Sequence, residues 1–458
     1  GAHVGRQTRA RRGRVSEHAN AAHIGRFLRD ASSKPLSVEV IDAAKKCLVD
    51  WLGVTIAGSR EPVASAAKAY AGLEDFGLPI IGGTPDVEKA ALVNGVAAHA
   101  LDFDDTHIPT DSHLSAVTWA ALLALADTER GEGDILLRAF VAGYEVAAKL
   151  SGRRFGFSLQ FRWFHPSAVI GRLASSGAVS VAMGLDECQA AQAVALSTTR
   201  ASGLRGMLGG MGKPLQVGEA AKDGIVCARM AKAGVTVDPD LLSPEGWFVK
   251  AFVQDGNAQL AMLDGNALGS DWAVLQTSFK AYACLHGIHP SIDAAMEIAS
   301  DIDATQVSSV KVYVAPGVKK VARFEDPQTP LEAKFSVTYC VAAALAGKGL
   351  GADGFSAVTL VDESLRALLP KVEVVPAEGR KMLDSGVEVT LHDGQVCRGE
   401  TSLSRGHPGN PLSWDDLEAK FRDLVEPVYH ERAVEILSLV RGFEQAGSLE
   451  RLKKLLRS

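Results

Sequence analysis

The segment Leu101-Asp102-Phe103-Asp104-Asp105-Thr106-His107, followed by His113, places four carboxylates, three hydroxyls and two imidazoles within thirteen positions. It continues directly from an Ala-rich run, residues 90–100, that reads as an apolar helix. Polar groups this dense at the end of an apolar helix are costly to hold near a core unless they are paired or used. Three further clusters carry groups of the same kind. In Trp163-Phe164-His165-Pro166-Ser167, Pro166 suits the first position of a helix and puts His165 at its cap. The amino end of such a helix offers free N–H groups and partial positive charge to a carboxylate. Gly209-Gly210-Met211-Gly212-Lys213-Pro214 reads as a flexible loop ending in a lysine, and Lys280-Ala281-Tyr282-Ala283-Cys284-Leu285-His286-Gly287-Ile288-His289 adds a second lysine and two imidazoles.

Each cluster taken alone has an ordinary structural reading. Asp-rich turns are commonly caps and Asx-turns, and a histidine at a helix cap is commonly a satisfied structural residue. Taken together, two lysines and several histidines suit an anionic substrate with more than one carboxylate. With no cofactor motif, the chemistry open to these side chains is proton transfer next to a carboxylate, with cations stabilising the enediolate-like charge that develops. Dehydration, decarboxylation, epimerisation and isomerisation all fit this description. The glycine loop fails the phosphate-loop pattern, because Met207 replaces its first glycine and Pro214 its Ser/Thr. The one GxGxxG match, Gly349 to Gly354, follows an expected helix instead of a strand, which argues against a dinucleotide site. Asp102, Asp104 and Asp105 superficially resemble an aspartate-rich magnesium site of an all-α enzyme, but aromatics are only 6% of residues, thin for a carbocation pocket. No metal is expected, and no second metal motif accompanies the aspartates.

The elements that must position these clusters are mostly helical. The chain has 458 residues, 47% hydrophobic and 22% charged with a net charge of −6, which suits two domains and a large core. The mildly acidic balance argues against nucleic acid as the main partner. Six cysteines without CxxC spacing read as reduced cytosolic thiols, so a cytoplasmic location is expected. Neither a secretory signal nor a membrane span is expected, and the apolar run from Pro166 to Leu185 reads as a buried helix. Five arginines among the first fourteen residues make a basic arm, residues 1–16, in preference to a transit peptide.

From residue 17 to 267 the dominant period is helical. Ile41, Ala44, Leu48 and Leu52 share one helix face that Ser37 could cap, and further helices are expected over 115–128, 134–151, 166–184, 186–200 and 218–234. The character changes over 268–405: Val307 to Val314 alternates as a strand, Val387–Leu391 and Val396–Thr401 read as a hairpin, and Glu332–Gly347 and Asp362–Leu369 read as helices. Ser413-Trp414-Asp415-Asp416 resembles a capping box opening a last set of helices over 406–458, which return to the first domain. The fold class is therefore a large all-α domain with a smaller inserted α+β lid domain.

The residues Val93-Asn94-Gly95-Val96-Ala97-Ala98-His99-Ala100-Leu101-Asp102-Phe103-Asp104-Asp105-Thr106, Phe164-His165-Pro166-Ser167, Gly212-Lys213-Pro214 to Ala221, Lys280 to Ala295, Glu332-Ala333-Lys334-Phe335-Ser336 and Gly406-His407-Pro408-Gly409-Asn410-Pro411-Leu412 resemble the MmgE/PrpD family from about residue 17 to the end. That family includes 2-methylcitrate dehydratase, cis-aconitate decarboxylase and iminodisuccinate epimerase. The resemblance implies a homodimer and a cofactor-free site between an all-α domain and an inserted lid, acting on a small polycarboxylate. It implies Asp102, His113, His165, Lys213 and Lys280 as catalytic residues and Thr106 and His286 as substrate-binding ones. In this picture the lysines bind carboxylates, His113 and His165 transfer protons, Asp102 orients a neighbouring cation and Thr106 positions substrate. Several positions depart from the decarboxylases: the Thr106–His113 spacing is one residue longer, Leu114 stands where the family often has proline, Leu285 stands where they have a histidine, and the loop around Val321 lacks a tyrosine. These departures turn the expectation toward a dehydratase acting on a substrate such as 2-methylcitrate, with decarboxylation, epimerisation or isomerisation of a di- or tricarboxylate as the alternative and a family member without catalysis as a remote one.

Overall fold

Helices of eight or more residues dominate the first part of the computed structural model, which describes residues 19–126, 132–254, 256 and 258–457. The expected basic arm lies outside the described residues. In chain order these helices are α1 (Ala19–Ala31), α2 (Val38–Gly58), α3 (Pro62–Ala71), α4 (Val87–His99), α5 (Leu114–Ala124), α6 (Gly133–Phe161), α7 (Pro166–Ala182), α8 (Glu187–Thr199) and α9 (Gly212–Lys232). Ser37 accepts from the Val40 amide at 3.4 Å and starts α2, where Ala44, Leu48 and Leu52 are buried. Every residue of α5 and of α7 is buried, so the apolar run from Pro166 lies inside a helical core. No helix among the described residues is long and apolar enough to cross a membrane.

The heavy use of alanine and glycine follows from how closely these helices cross. At the α4–α9 contact a Cβ on Gly218 would lie 2.4 Å from the Leu92 carbonyl oxygen, and one on Gly95 would lie 2.8 Å from the Gly218 Cα. Neither position has room for a side chain, and this crossing sets the distance between the end of α4 and the start of α9.

The α+β part is built on a four-stranded sheet. Its strands β3 (Val307–Val314), β4 (Val372–Pro376), β5 (Ser385–Leu391) and β6 (Val396–Thr401) lie in the order β4-β3-β5-β6, with β4 parallel to β3 and the other pairs antiparallel. Two earlier two-residue strands, β1 (Thr106–His107) and β2 (Thr277–Ser278), pair antiparallel by themselves. Helix α10 (His289–Ala299) packs across β5 and β6, and α11 (Val337–Leu345) packs on α10. The Gly349–Gly354 loop follows α11, a helix, as the pattern predicts.

Three expectations need correction. Residues 332–347 are not one helix: a turn at Pro330–Ala333 is separated from α11 by Lys334-Phe335-Ser336. Ser336 caps α11 through the Tyr339 amide, while the carbonyls of Lys334 and Phe335 accept from Leu285 and Phe324 instead of continuing a helix. Lys213 does not end a loop but sits in the first turn of α9, which starts at Gly212, six residues before the expected helix start at 218. Strand β4, which has no hairpin signal, is absent from the sequence reading.

At the carboxyl end, α12 (Trp414–Tyr429), α13 (Arg432–Arg441) and α14 (Ser448–Arg457) pack on the helical part. Ser413 and Asp416 form the capping box of α12. Phe421 and Leu424 close over Gly53 of α2, and the Trp414 indole donates to Asp42 at 2.9 Å.

Candidate active site

Four stretches distant in the chain meet around Asp102. Beyond the end of α4 the chain turns through Asp102 in the left-handed region (φ 51°) and enters β1. The β1–β2 ladder, with Thr106 opposite Ser278 and His107 opposite Thr277, lays this turn against the stretch that carries Lys280. Lys213 arrives on the first turn of α9, directed by the glycine crossing with α4. His113 and His165 are the residues immediately before α5 and α7, and the His113 amide donates to Ser167 Oγ at 3.1 Å.

The two expected lysines converge on one atom. Asp102 Oδ1 accepts from Lys213 Nζ at 2.7 Å and from Lys280 Nζ at 2.9 Å, and Lys280 also donates to the Asp102 carbonyl at 2.8 Å. All three residues are at least nine-tenths buried. His113 Nε2 lies 3.9 Å from the same carboxylate oxygen, and its Nδ1 lies 2.9 Å from Asp104 Oδ2 without the alignment of a hydrogen bond. His99 Nδ1 faces both oxygens of Asp104 at 2.9 and 3.0 Å, and its ring sits edge-on to His113 at 4.5 Å and stacked 6.0 Å from His165. His165 Nδ1 is 3.0 Å from Gln216 Oε1. Thr106 and His286 form an adjoining pair, Oγ1 to Nδ1 at 3.1 Å, with Ser278 Oγ 3.5 Å from the other ring nitrogen. Asp102 Oδ2 and His99 Nε2 are buried and have no hydrogen-bond partner among the described residues.

Charge is distributed unevenly across this cluster. Burial alone would raise the Asp102 carboxyl, but Lys213, Lys280 and the neighbouring histidines outweigh it and hold it well below the usual carboxylate range. Asp104 is likewise held low, burial being outweighed by His113 and His99. Burial lowers Lys213 against the attraction of Asp102. Burial, aided by Lys213, brings His99 down to about 4 despite the pull of Asp104, and holds His165 well below the ordinary histidine value. His286 is lowered by burial and by His289 and Lys280. Asp111, also left-handed at φ 52°, is raised to about 7 by burial against Arg205 and Lys213. His99 and His165 are therefore neutral at physiological pH, while Asp102 and Asp104 are charged.

The sequence reading did not name His99, Asp104, Gln216, Lys334 or Lys420 as site residues. His99 had a signal: it ends an apolar helix five residues before Asp104, within one turn of the polar cluster. Lys420 had none, since it lies on an ordinary amphipathic helix. His99, Asp102, Asp104 and His113 also offer ligand atoms all within 4.8 Å of one another, a set able to hold a metal ion. Two ammonium groups already bonded to Asp102 put positive charge where such an ion would sit.

Comparison with known proteins bears on the same stretches. The profile of the MmgE/PrpD N-terminal domain matches residues 22–261, and that of the MmgE/PrpD C-terminal domain matches residues 282–445. The chain belongs to the MmgE/PrpD family. Among curated relatives, a cis-aconitate decarboxylase of Homo sapiens is 29% identical over 443 residues, covering 92% of this chain and 91% of the relative. A cis-aconitate decarboxylase of Mus musculus is 27% identical over 91% of this chain and 89% of its own length. A cis-aconitate decarboxylase-like protein of Aspergillus oryzae is 26% identical over 95% of this chain and 96% of its own length. These relatives favour the decarboxylase alternative over the expected dehydratase. The departures at Leu114, Leu285 and Val321 therefore carry less weight than near full-length similarity to decarboxylases.

Proposed function

We propose that this protein is a carbon–carbon lyase that decarboxylates cis-aconitate or a closely similar unsaturated tricarboxylate. The observation that carries the reading is the pair of buried ammonium groups, Lys213 and Lys280, sharing Asp102 Oδ1 beside His113. A tricarboxylate needs such cations, and Asp102 holds them in place until substrate arrives. Near full-length similarity to cis-aconitate decarboxylases supports the choice of reaction.

The chemistry follows from the substrate's bonds. Cis-aconitate carries one carboxylate on a methylene group next to its double bond. Breaking the bond to that carboxylate releases CO2, and the electron pair forms a new double bond at the methylene carbon. The original π pair moves to the carbon beside the far carboxylate, where a proton is taken up, leaving 2-methylenesuccinate. Negative charge grows on that far carboxylate in the transition state, so Lys213 and Lys280 stabilise it there. His113, between Asp102 and Asp104, delivers the proton, while His165, held neutral by burial, assists by hydrogen bonding. Thr106 and His286 orient the substrate by hydrogen bonding. The stretch 268–405 acts as a lid over 17–267 and 406–458, and the enzyme works without a cofactor as a homodimer, as family resemblance implies, in the cytoplasm, as its scattered cysteines suggest.

The test is to incubate purified protein with cis-aconitate in deuterium oxide and follow CO2 and the product by NMR. The expected result is one CO2 per product and one deuterium at the carbon next to a carboxylate. Water loss from 2-methylcitrate without CO2 release from cis-aconitate would return the reading to a dehydratase.

A further inference from the structure

Three consecutive backbone carbonyls around Asp102 are each held by a different lysine. Leu101 O accepts from Lys334 Nζ at 2.6 Å, Asp102 O from Lys280 Nζ at 2.8 Å, and Phe103 O from Lys420 Nζ at 2.7 Å. The outer two lysines each reach a second carbonyl across the site. Lys334 donates to Ala283 O at 3.0 Å and Lys420 to Lys280 O at 2.9 Å. Each therefore bridges the turn that carries Asp102 to the stretch that carries Lys280, one on either side of the ion pair.

We infer that Lys334 and Lys420 are positioning residues, two ammonium staples that lock the left-handed Asp102 turn onto the Lys280 stretch. The inference rests on the proposed decarboxylase reading for what the lock serves, but not for its geometry. Asp102 at φ 51° sits in a left-handed conformation that is strained for a residue other than glycine and persists only where the surroundings over-determine it. Lys334 is 3% exposed; its cation rests on two carbonyls and lies 4.6 Å from the Phe355 ring centre. Burying an ammonium on such partners is expensive for stability alone. Lys420 is anchored from behind by Asp50 Oδ1 at 2.7 Å, whose other oxygen accepts the Asp105 amide at 3.0 Å, and it lies 3.8 Å from the Phe103 ring centre. The staples thus fix the turn from Leu101 to Asp105, and through it the oxygen that gathers Lys213 and Lys280. A displacement of about 1 Å in such a group costs on the order of a hundredfold in rate.

Lys420 also lines a cavity of about 840 Å³, open to solvent and walled in part by Leu101, Phe103 and Ala281, so a small amine can reach its place. In the full-length protein, Lys420→Ala is expected to lower kcat for cis-aconitate by about thirtyfold or more while KM changes by less than about threefold. Added ethylammonium should restore about fivefold or more of the lost rate, and tetramethylammonium, which has no N–H, should restore none. Lys334→Met is expected to lower kcat in the same way. Independently of turnover, amide hydrogen exchange over residues 101–107 should accelerate by about tenfold or more in both variants, with β3 and β5 unchanged. Lys420→Gln replaces Lys420→Ala if the latter does not fold. Unchanged exchange over 101–107, or kcat within about threefold of wild type in both variants, overturns the inference. If the wild-type protein releases no CO2 from cis-aconitate, the functional reading falls and the exchange result alone decides the staples.

Discussion

Asp102 is the residue on which the site's electrostatics turn, because one of its oxygens compensates two buried cations. Replacing either partner by a neutral group of similar length should therefore be severe. Lys213→Met and Lys280→Met are each expected to lower kcat/KM by about a hundredfold or more, read from initial rates of CO2 release. His99 gives a pH signature. Its folded-state value of about 4 lies below that of the unfolded chain, about 6.5, so between these limits the unfolded state binds more protons. Stability from this group is complete above pH 6.5 and is lost as pH falls toward 4, up to about 3 kcal/mol. Melting temperature measured across that window should drop with falling pH in wild type and drop less in His99→Gln. Of the residues expected from sequence, Lys213, Lys280 and His113 gather around one carboxylate, because their residue types announce charge wherever they lie, whereas His165 pairs with Gln216 and His286 with Thr106. The roles of Lys334, which lies within a segment matching the family, and of Lys420 were not legible for the opposite reason: their partners are mainly backbone carbonyls, which carry no side-chain signature.

At the scale of elements, the site depends on how two helices cross. Lys213 reaches Asp102 because α9 and α4 touch through Gly218 and Gly95, with no space for a side chain. Gly218→Ala would place a Cβ 2.4 Å from the Leu92 carbonyl, against backbone that cannot rotate away. The expected cost is about 2 kcal/mol of stability, seen as a lower midpoint in urea, together with a fall in kcat from the displaced lysine. Long apolar helices and the β3, β5 and β6 strands could be read from periodicity, since each buries a face that its sequence spells out. The break at Lys334-Phe335-Ser336 left only the Ser336 cap as a signal, because no glycine or proline marks it and the tertiary partners of the Lys334 and Phe335 carbonyls are not written in the local sequence. The β1–β2 ladder was equally hidden, two residues per strand being too few for any alternation.

For the whole molecule, the α-rich composition with a late β-rich stretch anticipated a helical body and a small sheet. What composition could not show is that Lys280, from the later stretch, meets Lys213, from the helical part, at one carboxylate. The proposed homodimer is checked by light scattering on the eluting protein, with a mass twice that of the chain expected and a single-chain mass counting against it. One consequence follows from Lys420 sitting on α12, a helix close to the carboxyl end. During synthesis the early helices emerge first and bring Asp102, His113, His165 and Lys213 within reach of one another. They remain a half-made site until α12 is translated, because Lys420, an anchor of the Asp102 turn, lies 317 residues after Phe103, whose carbonyl it holds. A nascent or prematurely terminated chain lacking α12 therefore carries those side chains without the anchor that fixes their shared carboxylate.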